Sequence, residues 1–130
     1  MKKYFMIALS LLFVLALSAC FNYKDIEDNF VEAGYTYSEE SSFIVKSLLS
    51  EFEEDGIDVT IHAFNKDVQV AVVIEFENEK DLEESLENNS LLVSLMSDFD
   101  QEELIRKEYI VIPIAITEEG EQQIIDTFHE

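Results

Sequence analysis

The 130-residue chain has one cysteine, one proline, three glycines and only eight lysines and arginines. A single cysteine forbids an internal disulfide, so packing must hold the fold together. Gly34, Gly56 and Gly120 stand far apart, which excludes a glycine-rich loop that cradles phosphate. The chain has no cysteine pair and no HExxH, so the common zinc patterns are missing. Eight cations against 29 acids give a formal charge of −21. That balance excludes general nucleic-acid binding, which needs lysine and arginine against phosphates. Hydrophobic residues still make up 48% of the chain, enough for a packed core rather than a disordered chain.

The strongest local signal is at the N-terminus. Lys2 and Lys3 precede an apolar run from Met6 to Leu17, broken only by Ser10. The run suits the core of a signal peptide; a spanning helix needs about 20 apolar residues. Leu17-Ser18-Ala19-Cys20 follows. A branched apolar residue, two small residues and a cysteine resemble the lipobox of bacterial lipoproteins. The resemblance implies transfer of a diacylglyceryl group to the Cys20 sulfur, a soft nucleophile suited to forming a thioether. It also implies cleavage before Cys20 by the lipoprotein signal peptidase. Ordinary secretory cleavage after Ala16-Leu17-Ser18, or an uncleaved anchor from Tyr4 to Phe21, would be the competing readings. The sole cysteine stands where a lipobox puts it, which favours the first.

The resemblance covers residues 1–20, and the remaining 110 resemble no family we recognise. It divides the chain into a signal peptide, residues 1–19, and a single extracytoplasmic domain, residues 20–130. Cleavage would remove Lys2 and Lys3, leaving six cations against 29 acids, a charge of −23 over 111 residues. A chain of that length can bury a core without metals or disulfides. The resemblance further implies a bacterial cell membrane, with two acyl chains giving durable attachment.

Beyond the anchor, periodicity predicts an α+β domain. Tyr23, Ile26, Phe30 and Val31 recur at helical spacing over 23–33, and Gly34 fits the stop. Ile44, Val45, Leu48, Leu49 and Phe52 mark a second helix over 39–55, stopped by Gly56 and capped by Ser38 or Ser41. The period then becomes two. Ile57, Val59, Ile61 and Ala63, then Val68, Val70, Val72, Ile74 and Phe76, predict a hairpin turning at Asn65-Lys66-Asp67. Asn78 caps a helix with Asp81 at the capping-box position and Leu82, Leu86, Val93 and Met96 inward. Asn88-Asn89 is a candidate break. Residues 98–107 read as a charged connection with room for one helical turn. Residues 108–116 read as a third strand, at the sheet edge because Pro113 cannot donate to a ladder. Thr117 caps a last helix with Ile124, Ile125 and Phe128 inward. The expected architecture is a three-stranded antiparallel sheet, hairpin plus one strand after a helical crossover, packed with about four helices. A right-handed crossover that skips the first strand gives the order 2-1-3. Four apolar stripes exceed what one face of so small a sheet can hold. The first or last helix then covers the second face, near Thr60, His62, Ala71, Val73 and Tyr109, or a partner does.

No residue pattern points to catalysis. Any two of 29 acids can be placed at glycosidase spacing, so that signal is empty. Asp98, Asp100 and Glu102 resemble the start of a calcium loop but lack its turn glycine, having Glu103, and its final acid, having Tyr109. They are weak metal candidates beside the commoner reading as a solvated loop. Glu51, Glu53, Glu54 and Asp55 crowd a helix C-terminus, against its dipole, which suits a cationic partner. His62 reads as a surface histidine on an outward strand face, and Tyr35 and Tyr37 as loop tyrosines over the core edge. The expectation is a non-catalytic binding or interaction module, with no cofactor and no nucleic acid. Its partners would be the bilayer through acylated Cys20 and cations or a cationic protein or peptide. The alternative is a small carboxylate-dependent envelope hydrolase.

Overall fold

The computed structural model describes residues 21–38 and 43–130. The expected signal peptide, Cys20 and the expected Ser41 cap lie outside the described residues, as does the expected start of the second helix at 39–42.

The chain enters the fold at once. Asn22 caps α1 (Tyr23–Glu32) in a reciprocal box, its own N–H donating to Asp25 at 3.0 Å. The stop is a left-handed Gly34, φ +95°. Its N–H donates to the Val31 carbonyl at 3.0 Å, and the Tyr35 N–H to that of Phe30 at 2.9 Å. The same pair of bonds closes α2 (Phe43–Asp55) at Gly56, φ +71°, with Ile57 N–H donating to Phe52 at 3.0 Å. Ile26 and Phe30 are buried on α1, whereas Val31 is exposed and does not join the inward stripe.

Strands β2 (Val59–Lys66) and β3 (Gln69–Phe76) form the expected hairpin. The turn falls two residues later than the sequence suggested, at Asp67-Val68, because Asp67 accepts a left-handed φ of +55°. Then follow α3 (Glu79–Asn88) and α4 (Ser90–Met96). Asn89 is the break: its N–H closes α3 on Ser85 at 2.8 Å, and its side chain accepts from Leu92 N–H at 3.0 Å to open α4. The break shifts the helical phase, so Leu92 and Met96 turn inward while Val93 is exposed. A 3₁₀ turn (Gln101–Leu104) leads into β4 (Ile105–Arg106), β5 (Tyr109–Ile114) and α5 (Glu118–His129). Thr117 caps α5, accepting from Gly120 N–H at 3.1 Å.

The sheet has five strands in the order β1-β2-β3-β5-β4, each antiparallel to its neighbours, with β1 (Thr36–Ser38) at one edge. Two expectations are corrected. The order 2-1-3 fails because the last long strand pairs with β3, not β2. The helical crossover delivers the chain to β4, and a tight turn at Lys107-Glu108 folds β5 back between β3 and β4. The edge assignment for Pro113 holds only locally. β4 covers β5 at Tyr109 and Ile110, and Pro113 lies beyond it, paired in register with Ala71 alone. A missing N–H requires an open edge at one residue, not along a whole strand.

Both faces of the sheet are covered. Phe52 of α2 meets Phe76 edge-on at 5.5 Å, and α3 and α4 pack beside α2 on that face. Phe30 of α1 stacks on Phe64 at 4.9 Å on the other face, where α5 lies against α1 and β5. The first and last helices together thus close the second face, with five α-helices among the described residues in place of about four. Among the described residues no helix is long and apolar enough to cross a membrane.

Ala71, Val72, Val73 and Ile74 have no exposed surface. Val72→Asp should therefore prevent cooperative folding, because an unpaired buried carboxylate costs at least about 3 kcal/mol. Val68→Asp, at an exposed turn position, should melt within about 0.5 kcal/mol of the parent. Thermal melts followed by circular dichroism decide both.

Candidate functional site

Titratable side chains gather on the sheet face under α1. The register sets Thr60 of β2 across from Glu75 of β3, and Glu75 across from Tyr109 of β5. His62 lies two residues from Thr60 on the same face, diagonal to Glu75, within reach of a long side chain. Its Nε2 is 3.4 Å from Glu75 Oε2. Tyr23, the first residue of α1, stacks on the imidazole at 3.8 Å and 17°. Tyr37 of β1 stands tilted at 6.1 Å.

His62 is thus buried, not the surface histidine that strand alternation suggested, because α1 roofs this face. Its Nδ1 and the Tyr23 hydroxyl have no hydrogen-bond partner. Burial pulls the His62 pKa below its ordinary value, and Glu75 opposes the shift. Burial pushes Tyr23 up, with Glu27 adding to it. Tyr109 rises to about 12, from burial first and then the charges of Glu108 and Glu75. At neutral pH the cluster holds a neutral imidazole beneath the protonated phenol of Tyr23. Such an imidazole can carry a proton to or from Glu75, but Tyr23 covers its ring, so the cluster is better built to bind α1 than to meet a substrate.

Of two surface cavities, the first adjoins this region. One, of about 150 Å³, is lined by Asp58, Val59, Thr60, Glu75, Phe76 and Glu77, and its three carboxylates disfavour anions. The other, of about 360 Å³, lies between α3 and β4, with Leu82, Leu86 and Ile105 beside Glu79, Glu83 and Lys107.

The end of the domain next to Cys20 has its own cluster. Phe21 meets Tyr109 edge-on at 5.8 Å. Its ring carries the Arg106 guanidinium at 3.9 Å and the Lys107 ammonium at 5.5 Å. Arg106 Nη1 also donates to the Phe128 carbonyl at 2.9 Å, near the C-terminus of α5.

Of the residues singled out from sequence, Cys20 lies outside the described residues. Asp98, Asp100 and Glu102 are exposed and do not converge. Asp100 instead caps the 3₁₀ turn, accepting from Glu102 N–H at 3.3 Å. Among the described residues no three His, Cys, Asp or Glu side chains converge to hold a metal ion. Tyr35 packs over the core edge as expected, its hydroxyl donating to Gln69 Oε1 at 2.8 Å, but Tyr37 is half-exposed on an edge strand rather than in a loop. Sequence reasoning missed the Tyr23–His62–Glu75 grouping. The one available signal was the spacing of two between Thr60 and His62, which shares a face but does not say what covers it. No family model matches the chain, and no curated protein and no solved structure matches it either.

The lowered His62 value fixes a sign. Unfolded, His62 titrates near 6.5; folded, it titrates lower. Below about pH 6.5 the unfolded chain binds more protons, so stability falls as pH falls. His62→Phe keeps the ring and removes the titration. The loss of melting temperature from about pH 7 to about pH 5 should be smaller in that variant than in the parent, by differential scanning calorimetry.

Proposed function

We propose that the chain is a bacterial lipoprotein acylated at Cys20. Its domain of residues 20–130 would act as a non-catalytic binding module on the outer face of the cell membrane. The observation that carries the reading is the Leu17-Ser18-Ala19-Cys20 sequence at the end of a short apolar run, with the chain's only cysteine in place. The start of the fold agrees with it, since Phe21 already packs on Tyr109 and Asn22 already caps α1.

The binding role is supported by what surrounds the buried imidazole. Tyr23 roofs it, and the phenols beside it are held protonated. A chain of this length with 29 acids and eight cations favours cations or a cationic protein or peptide as the partner.

Cys20→Ser should move the protein out of the membrane fraction. Intact-mass analysis of the parent should find a diacylglyceryl-modified N-terminal cysteine. An unmodified mature chain beginning at Ala19 would refute the acylation, and ester or glycan hydrolysis abolished by Glu75→Gln would refute the non-catalytic role. In native membranes, crosslinking through surface carboxylates should capture a basic protein.

A further inference from the structure

The fold leaves two large apolar side chains in water at one end of the sheet. Val68, in the β2–β3 turn, is 66% exposed, and Ile116, between β5 and α5, is 80% exposed. No large apolar side chain among the described residues is more exposed than these two. They are also neighbours. Val70 pairs with Ile114 in the β3–β5 register; Val68 stands two residues before the one and Ile116 two residues beyond the other. Gly120 shows the same juxtaposition, since a Cβ at that position would stand 3.0 Å from both the Ala115 Cβ and the Gln69 amide nitrogen. Neither side chain serves the fold. An apolar residue just before an N-cap commonly packs on the fourth residue of its helix. Ile116 precedes the Thr117 cap, but the fourth residue of α5 is Glu121. Val68 takes a turn position where a small polar residue is usual. Val70 and Ile114, half-buried, join the pair to the core.

The charges next to the pair are acidic. Asp67 adjoins Val68, and Glu118 and Glu119 follow Ile116 in the first turn of α5; all three are exposed. The hairpin's own cation, Lys66, is turned to α1, donating to the Ala33 carbonyl at 2.9 Å and lying over the Tyr35 ring. The other cations of the described residues belong to other elements: Lys24 and Lys80 to the first turns of α1 and α3, Lys46 to α2, Arg106 to β4 and Lys107 to the turn after it. We propose that Val68 and Ile116 are the domain's contact site for a segment of a cationic protein in which apolar side chains alternate with lysines or arginines. The apolar side chains of that segment seat on Val68 and Ile116, and its cations meet Asp67, Glu118 and Glu119. This deepens, and rests on, the reading of a cationic protein or peptide as the partner. A second copy of the chain fits poorly, because a symmetric contact would set the same three carboxylates against each other. Two side chains also expose far less than the roughly 800 Å² that each partner gives to a standard stable interface. A phosphate-bearing lipid surface meets the same repulsion.

The test titrates the full chain with short fluorescent peptides at physiological salt and reads binding by anisotropy. One peptide alternates Lys and Leu, a second Lys and Gln, a third Glu and Leu. The parent should bind the first several-fold more tightly than either of the others. Val68→Ser combined with Ile116→Ser should weaken that binding about tenfold, as removal of a contact hot spot does. Val93→Ser, at another exposed apolar position, should leave it unchanged. Asp67→Asn with Glu118→Gln and Glu119→Gln should weaken it as well and reduce its dependence on salt. All of these positions are exposed, so thermal melts of the variants should stay close to the parent. Equal affinity of the Lys-Leu peptide for the parent and the Val68→Ser, Ile116→Ser variant would overturn the site and leave the cationic-partner reading standing. Equal binding of the Lys-Leu and Lys-Gln peptides would overturn the apolar contact. Preference for the Glu-Leu peptide, or binding of none of the three, would overturn the site and the cationic-partner reading together. A concentration-dependent dimer, or binding to phosphatidylglycerol vesicles, that the same double variant abolishes would overturn the proposal in favour of a second copy or a lipid surface.

Discussion

Strand β3 is buried on both sides, and the rest of the molecule follows from that. Four successive residues, Ala71 to Ile74, have no contact with water. A strand of that kind alternates its side chains between two faces, so neither face can be left to solvent. One face takes α2, α3 and α4; the other takes α1 and α5. With both faces closed, most of the acids among the described residues are left to the outer helix surfaces and the turns, and Glu75 is the one drawn under α1 beside His62.

Closing the second face has a chemical consequence. The row that crosses it includes Thr60, Glu75 and Tyr109, with His62 beside them. α1 cannot cover a row of polar groups with aliphatic side chains alone without leaving them unpaired, which is costly. It brings a tyrosine, whose ring lies flat on the imidazole and keeps it neutral by excluding water. The contact still leaves His62 Nδ1 and the Tyr23 hydroxyl unpaired. The first turn of the domain is therefore joined to the sheet through a contact that weakens on protonation, next to the residue read as the membrane anchor.

Much of the architecture was legible in the sequence where a signal is local. Gly34 and Gly56 stop helices because the left-handed backbone there suits a residue without Cβ. Asn78 and Thr117 cap helices because their side chains can accept an orphan N–H. The hairpin is visible because eight residues of alternation on each side are enough to establish a period. β1 and β4, at three and two residues, are too short to show any period, and without them the sheet loses its edges and its order. The position of β5 depends on the turn at Lys107, a residue type that announces no turn. His62 was placed on the correct face but misread as exposed, because alternation reports which face a side chain shares and not what lies over it.

The same limit explains why the sequence supports a proposal for an anchor and none for a specific partner. A lipobox is a contiguous pattern recognised in extended form, so its residues carry the whole signal. A binding surface in a folded domain is assembled from distant segments, just as the internal contact of Phe21, Arg106 and Phe128 spans 107 residues of sequence. The described start of the fold has a fixed geometry. Asn22 begins the first helix immediately, Phe21 is held between Tyr109 and Arg106, and α1 is clamped to the sheet along its length by Tyr23 and Phe30. Any pull exerted through residue 20 would reach the sheet through these rings and not through a slack linker. The strength of the α1 contact, and with it the state of His62, then sets how firmly the first helix is held to the sheet.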